Sequence, residues 1–372
     1  EVSVAEPHQL GGFNFAYNII HPQLWSSTIL NSAPAPTASL GMATVQTGVD
    51  AAGYCTLYSR DSYKYHPGIG TLIRFTCVFA AGVANSHQEC GFGDDDDGFL
   101  FGFNGTAFGI VHRKNGVDAY IAQSSWNTDP CDGTKVIASI DPTMGNVYQI
   151  GFQYLGFGAI TFSVEDSATG RFEPVHIVQY ANSHTTPSIG VPNQVLRMHV
   201  HNTGNTANLT MKSASMAVFA EGIPAAPPVH YSLPSPVVAS VTTEVVLMAI
   251  RNKITFSGHI NHVPVCINTI AYGAESRGGI LRLYSGATGT GDAFSDHDGT
   301  NSVIEESTTT GTISGGELLA TFMIPKNGGD TILLDDGHKI SVRGGETIHV
   351  TAQSVGGTMT DALAILTWTE NP

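Results

Sequence analysis

The chain is short of charge. Asp, Glu, Lys and Arg together make up only 13% of its 372 residues, about half the share of an ordinary soluble domain, and that argues against long solvated helices. It also lacks any apolar run of 18 or more residues, so no single segment reads as a membrane-spanning helix, and no charged-then-apolar leader opens the chain. A soluble chain is the expectation. Position 1 is Glu, not Met, which points to processing of a longer product or to trimming. Basic residues are scarce: 16 against 31 acidic ones, for a formal charge of −15. Nucleic-acid binding needs clustered cations that displace counterions, so neither DNA nor RNA is an expected partner. The five cysteines, Cys55, Cys77, Cys90, Cys131 and Cys266, are odd in number and contain no CxxC pair. Neither a zinc knuckle nor a dense disulfide framework is indicated, and buried free thiols are expected ahead of a Cys90–Cys131 bridge.

What is present is β-forming. Polarity comes from Thr, Ser, Asn and 42 glycines, residues of strands, turns and close backbone approaches. Short runs of alternating character recur, among them Thr71–Phe79, Gly98–Phe103, Phe108–His112, Val147–Tyr154, Ala159–Val164 and Val195–His201, then Glu244–Ile250, Val263–Ile270, Gly279–Tyr284, Leu318–Ile324, Thr347–Ala352 and Ala362–Trp368. Many short strands with turn residues between them predict a sandwich or barrel. In one of them Phe99, Phe101 and Phe103 project to one side, which places that side on a core.

The length suits two cores. Five prolines within residues 222–236 mark an extended connection. The expected organisation is an N-terminal strand plus linker over residues 1–37, a lectin-like β-sandwich over 38–222, a Pro-rich linker over 223–236 and a jelly-roll-like β-sandwich over 237–372. The class is all-β.

Several features invite a chemical reading. The run Asp94-Asp95-Asp96-Asp97 concentrates carboxylates in one turn; a calcium-type cation would offset them, but the spacing of a wrapped calcium loop is missing and a solvated hairpin loop is expected ahead of a bound metal. Asp296, Asp298, Asp335 and Asp336 lie in similar Gly- and Thr-rich stretches. His199 and His201 alternate and so share a strand face; with no third ligand evident, a surface or interface pair is expected ahead of a metal site. Asn104 and Asn208 begin Asn-x-Thr sequons. No nucleophile elbow, HExxH, phosphate loop or dinucleotide fingerprint occurs, and Glu89 to Asp94 lacks the same-strand alternation of a sandwich glycosidase pair. No catalytic residue and no cofactor is assigned, and the expectation is that the chain is not an enzyme. Tyr120, Trp126 and Asn127 would serve as a glycan contact, although ordinary loop packing is expected ahead of that role.

The stretches Gly91–Asp94, Asp97–Ile110, Gly145–Gly158 and Gly170–His176, with Tyr180-Ala-Asn, Thr186-Pro-Ser and Asn208–Ala217, resemble a family of virion proteins in tailed bacteriophages and large DNA viruses. Ile250–Phe256 and Gly345–Ala352 resemble a companion module of such proteins. The resemblance implies a capsid decoration, fibre or tail-associated component on the virion surface. Its partners would be copies of itself, with a trimer favoured, other virion proteins and host-surface glycans. A carbohydrate-binding adhesin is the alternative reading and a glycan-cleaving sandwich enzyme the second.

Overall fold

The computed structural model describes residues 7–153, 155–222, 228–334 and 340–371. Asp335, Asp336, Tyr154 and residues 223–227 of the proline-rich stretch lie outside the described residues. The chain divides into two compact units, Glu1–Ala225 and Ala226–Pro372. Each is an antiparallel two-sheet sandwich, the all-β class expected. Among the described residues, helical turns are limited to the 3-10 segments Ala16–Asn18 and Gln123–Ser125.

In the first unit a seven-stranded sheet runs in the order Val117–Ala122, Ala107–Lys114, Gly98–Asn104, Ser86–Gly93, Leu196–Asn202, Tyr54–Ser59 and Trp25–Leu30. A six-stranded sheet runs His8–Asn14, Ser215–Ala220, Thr71–Cys77, Asn146–Phe152, Ile160–Glu165 and Phe172–Val178. Alternation decides which side of each strand is buried. Phe99 and Phe101 are at most 1% exposed, and Phe101 meets Phe75, Tyr148 and Phe162 of the other sheet at ring separations of 6.3, 4.8 and 5.4 Å. Each such buried ring contributes roughly 1.5–3 kcal/mol.

Residues 7–37, the described part of the segment expected over 1–37, do not stand apart from the first sandwich. His8–Asn14 pairs with Ser215–Ala220, and Trp25–Leu30 pairs with Tyr54–Ser59, so the N-terminal stretch supplies one edge strand to each sheet. The cause is apolar: Phe15 and Trp25 are core residues, with rings 5.3 Å apart.

In the second unit one sheet orders Val229–Pro234, Thr360–Glu370, Val265–Glu275 and Gly328–Leu333, with Ile340–Val342 also on Val265–Glu275. The other orders Ser295–Asp296, Ile304–Ser307, Val245–Asn252, Thr347–Ser354, Gly279–Ser285 and Glu317–Ile324. Trp368, Leu281, Leu283, Ile348 and Val350 fill the space between. Here the linker boundary is corrected. Residues 229–234 form a strand against Thr360–Glu370, and Pro234 is tolerated because that strand lies at a sheet edge, where a missing backbone donor costs no ladder bond.

Candidate functional site: the outer face of the seven-stranded sheet

Side chains on a strand alternate, so those opposite the Phe99–Phe101 side form the outer face of the seven-stranded sheet. Cross-strand register arranges them in rows. Tyr58, Arg197 and Gly91 are direct neighbours; Thr56, His199 and Glu89 form the next row; Tyr54, His201 and His87 form the third. Beyond Gly91 the first row continues through Leu100 and Val111 to Tyr120.

Glycine keeps the floor of this face low. Gly91, Gly102 and Gly109 stand in the rows, and a Cβ on Gly102 would lie 1.9 Å from the Gln88 carbonyl oxygen. Over that floor Arg113 reaches from its own strand to Glu89. It donates from Nη2 to Oε1 at 2.7 Å and from Nη1 to Oε2 at 3.2 Å, and its Nε donates to Asp118 Oδ1 at 2.7 Å. Fork-to-fork pairing of this kind fixes both orientation and position. Arg197 is clamped in turn by Asp95, Nη2 to Oδ1 at 2.6 Å. The Tyr54 hydroxyl donates to the same carboxylate at 3.3 Å.

The imidazoles sit in this layer. His199 is 5% exposed; its ring lies 4.6 Å from that of Tyr54, and its Nδ1 is 2.8 Å from Thr56 Oγ1. His201 lies 5.3 Å from Tyr54 and 6.5 Å from His87, ring to ring. Burial holds His199 well below the usual imidazole range, with the Arg197 charge adding to the effect and Asp95 opposing it. His201 is lowered by burial and by His87. Burial would raise Asp95, but the attraction of Arg197 outweighs it and the carboxyl titrates below its ordinary value. Burial raises the Tyr54 phenol.

The alternation of His199 and His201 is therefore real, but His199 is an interior member of a polar layer and not a surface residue. The glycan trio separates. Tyr120 lies on the outer face, its hydroxyl donating to the Ala107 carbonyl at 2.7 Å. Trp126 is a correction: the stretch after Gln123–Ser125 turns inward and puts its ring in the core, 6.0 Å from Phe101 and 6.1 Å from Phe108. Asn127 is another, its amide spent on Ile177, donating to the carbonyl at 2.8 Å and accepting from the N–H at 2.9 Å.

The acidic run is a turn and not a cage. Asp94 Oδ1 accepts from the N–H groups of Asp96 and Asp97 at 2.7 and 2.8 Å. Asp97 accepts from Gly190 and Val191 at 2.9 and 3.0 Å, and Asp95 points to Arg197. Asp94, Asp95 and Asp97 are thus each engaged by different protein groups, which does not favour the calcium-type site read from Asp94, Asp95, Asp96 and Asp97. Among the described residues, no group of three or more His, Cys, Asp or Glu side chains is placed to hold a metal. Asp298 likewise caps its own turn, accepting from the Thr300 and Asn301 N–H groups at 2.9 and 3.0 Å. Sequence reasoning weighed Glu89 only as a catalytic carboxylate and missed Arg113, Asp118 and Arg197, because the partners come from separate strands and no spacing within one segment announces them.

No family model and no curated protein matches the chain. Solved structures similar to it include an endo-acting O-glycanase of the human gut microbiota, from work on the initiation of mucin breakdown, at 11% identity and TM-score 0.40, covering 56% of this chain and 98% of that one. An endo-1,3-β-glucanase from Streptomyces sioyaensis is 12% identical with TM-score 0.38, covering 57% and 96%. The carbohydrate recognition domain of Emp47p is 9% identical with TM-score 0.34, covering 59% and 96%. These values assign neither ligand nor chemistry to this chain. Glycan-cleaving proteins stand among the similar structures, and the expectation that the chain is not an enzyme is withdrawn. Catalytic motifs are spaced along single segments, whereas a sheet face gathers its groups from several.

Proposed function

We propose that the first unit binds carbohydrate on the outer face of its seven-stranded sheet. The observation that carries this reading is the block of half-buried rings, Tyr54, Tyr58, His87 and His201, set beside hydrogen-bonded ion pairs on a glycine floor. A pyranose has an apolar C–H face and a rim of hydroxyls, each both donor and acceptor. The rings offer area for the first. The Asp95 carboxylate, with a side chain 60% exposed, and the phenol and imidazole edges offer partners for the second. Pairing within the layer pre-orients these groups, which lowers the ordering cost of binding. Joined to the virion resemblance of Gly91–Asp94 and Asp97–Ile110, the reading becomes a glycan-binding module displayed on a particle.

A glycan array followed by calorimetry on the retained glycan tests it. Tyr54→Ala and His201→Ala should each weaken binding by about tenfold, the loss of one well-placed contact. Chromatography of the retained glycan after incubation reads whether cleavage follows binding. If nothing is retained, or both variants bind like the parent chain, the proposal fails.

A further inference from the structure

The second unit carries a surface cavity of about 710 Å³ lined by both charged and apolar side chains. Four charges line it as two ion pairs. Arg251 donates from Nε to Glu305 Oε2 at 2.7 Å, and Lys253 Nζ pairs with Asp296 Oδ1 at 2.7 Å. Asp296 and Glu305 are direct cross-strand neighbours. Like charges in that relation repel, and here each is offset by its own cation. The cations are fixed from behind: the Arg251 guanidinium lies 4.3 Å from the Phe294 ring centroid, and Lys253 lies 5.4 Å from that of Phe256 and also donates to the Ser302 carbonyl at 3.3 Å. Phe256 and Ile254 supply apolar wall. The volume falls in the range of small-molecule sites.

We infer that this cavity is a second ligand site, and that its ligand is a neutral polyhydroxylated ring, a single saccharide unit. The four charges sum to zero, so the cavity has no net attraction for an ion. A charged group would also have to break an ion pair that is already formed. A hydroxyl need not, because it can donate to a carboxylate oxygen and accept from a guanidinium N–H while the pair stays intact. Arg251 has guanidinium N–H groups beyond Nε for that purpose, and the side chains of Arg251 and Asp296 are 39% and 50% exposed. The ring's C–H face would lie against Phe256. The site is built wholly within the second unit and does not depend on the carbohydrate reading of the first.

Saturation-transfer NMR of the full chain with millimolar methyl glycosides of glucose, galactose, mannose and N-acetylglucosamine tests the inference. At least one glycoside should give a signal that survives in a Tyr54→Ala/His201→Ala chain, in which the outer face of the first unit is altered. On that background, Glu305→Gln should weaken it by about tenfold, the loss of a hydrogen bond to a charged acceptor. Thr255→Trp, an exposed position that lines the cavity, should abolish it by filling the space without touching the ion pairs. The inference is overturned if no glycoside gives a signal on that background, or if the signal persists in Thr255→Trp. A parent-chain signal lost with Tyr54→Ala/His201→Ala would locate binding in the first unit instead.

Discussion

His199 and Thr56 face each other across neighbouring strands, imidazole Nδ1 2.8 Å from the hydroxyl oxygen. The contact lies in a layer where burial and the Arg197 charge favour the neutral ring. Both His199 and His201 therefore take up a proton at lower pH in the folded chain than in the unfolded one, because burial disfavours the cation and Arg197 and His87 repel it. Unfolded imidazoles titrate near about 6.5. Between that value and the folded ones the unfolded chain binds more protons, so this contribution to stability is present above about pH 6.5 and is lost as pH falls, at up to about 1.4 kcal/mol per pH unit for buried His199 and less for the solvent-screened His201. The unfolding midpoint followed from about pH 7.5 to about 5 should drop, and His199→Gln should flatten the slope. An equal slope in the variant counts against the assignment.

Arg113 and Glu89 should behave as a buried pair whose halves cannot be removed singly. Arg113→Ala strands a carboxylate in a site where Glu89 is 3% exposed, a loss of about 3–5 kcal/mol. Arg113→Met combined with Glu89→Gln should recover most of it. Denaturant unfolding of the single and double variants gives the comparison; additive losses would show that the two groups act independently.

Gly102→Ala should be among the most damaging small substitutions in the first unit. Its methyl would meet the Gln88 carbonyl of the neighbouring strand at 1.9 Å, which no rotamer change relieves, and strand separation there costs about 1–3 kcal/mol or more. A midpoint within error of the parent chain would mean that the strands Ser86–Gly93 and Gly98–Asn104 are not so closely apposed.

All five thiols are free, and Cys55, Cys77, Cys90 and Cys131 are buried. Burial pushes the Cys55 thiol up to about 11, and burial together with Asp129 and Asp132 pushes Cys131 up to about 12. Since the thiolate is the reactive form, a disulfide-exchange reagent near neutral pH should modify Cys266 alone in the native chain and all five after denaturation. Fewer in the denatured chain would reveal a bridge.

Much of the strand pattern was legible from alternation. The aromatic row of Phe99, Phe101 and Phe103 faces the core as its period predicts, and His199 and His201 share a face. What escaped was anything decided across strands. Trp126 reads as a loop aromatic until the turn at Gln123–Ser125 carries it inward, and four consecutive aspartates read as a solvated hairpin loop that invites a cation until backbone N–H groups claim Asp94 and Asp97. The ion pairs of Glu89, Arg113 and Asp118 depend on register, which local propensity does not specify. Residues 229–234 look like linker because proline suppresses the strand signal, yet an edge position admits it.

His8–Asn14 finds its hydrogen-bonding partner in Ser215–Ala220, the opposite end of the unit. During synthesis the earliest strand must therefore wait, unpaired, until the latest has left the ribosome. Such distant closure makes for slow folding, and it leaves Thr71–Cys77 flanked on one side by an incomplete sheet throughout the wait. Trimming the chain before Asn14 would accordingly do more than shorten it: the strand Ser215–Ala220 would become a permanent open rim, ready to take up another molecule's strand.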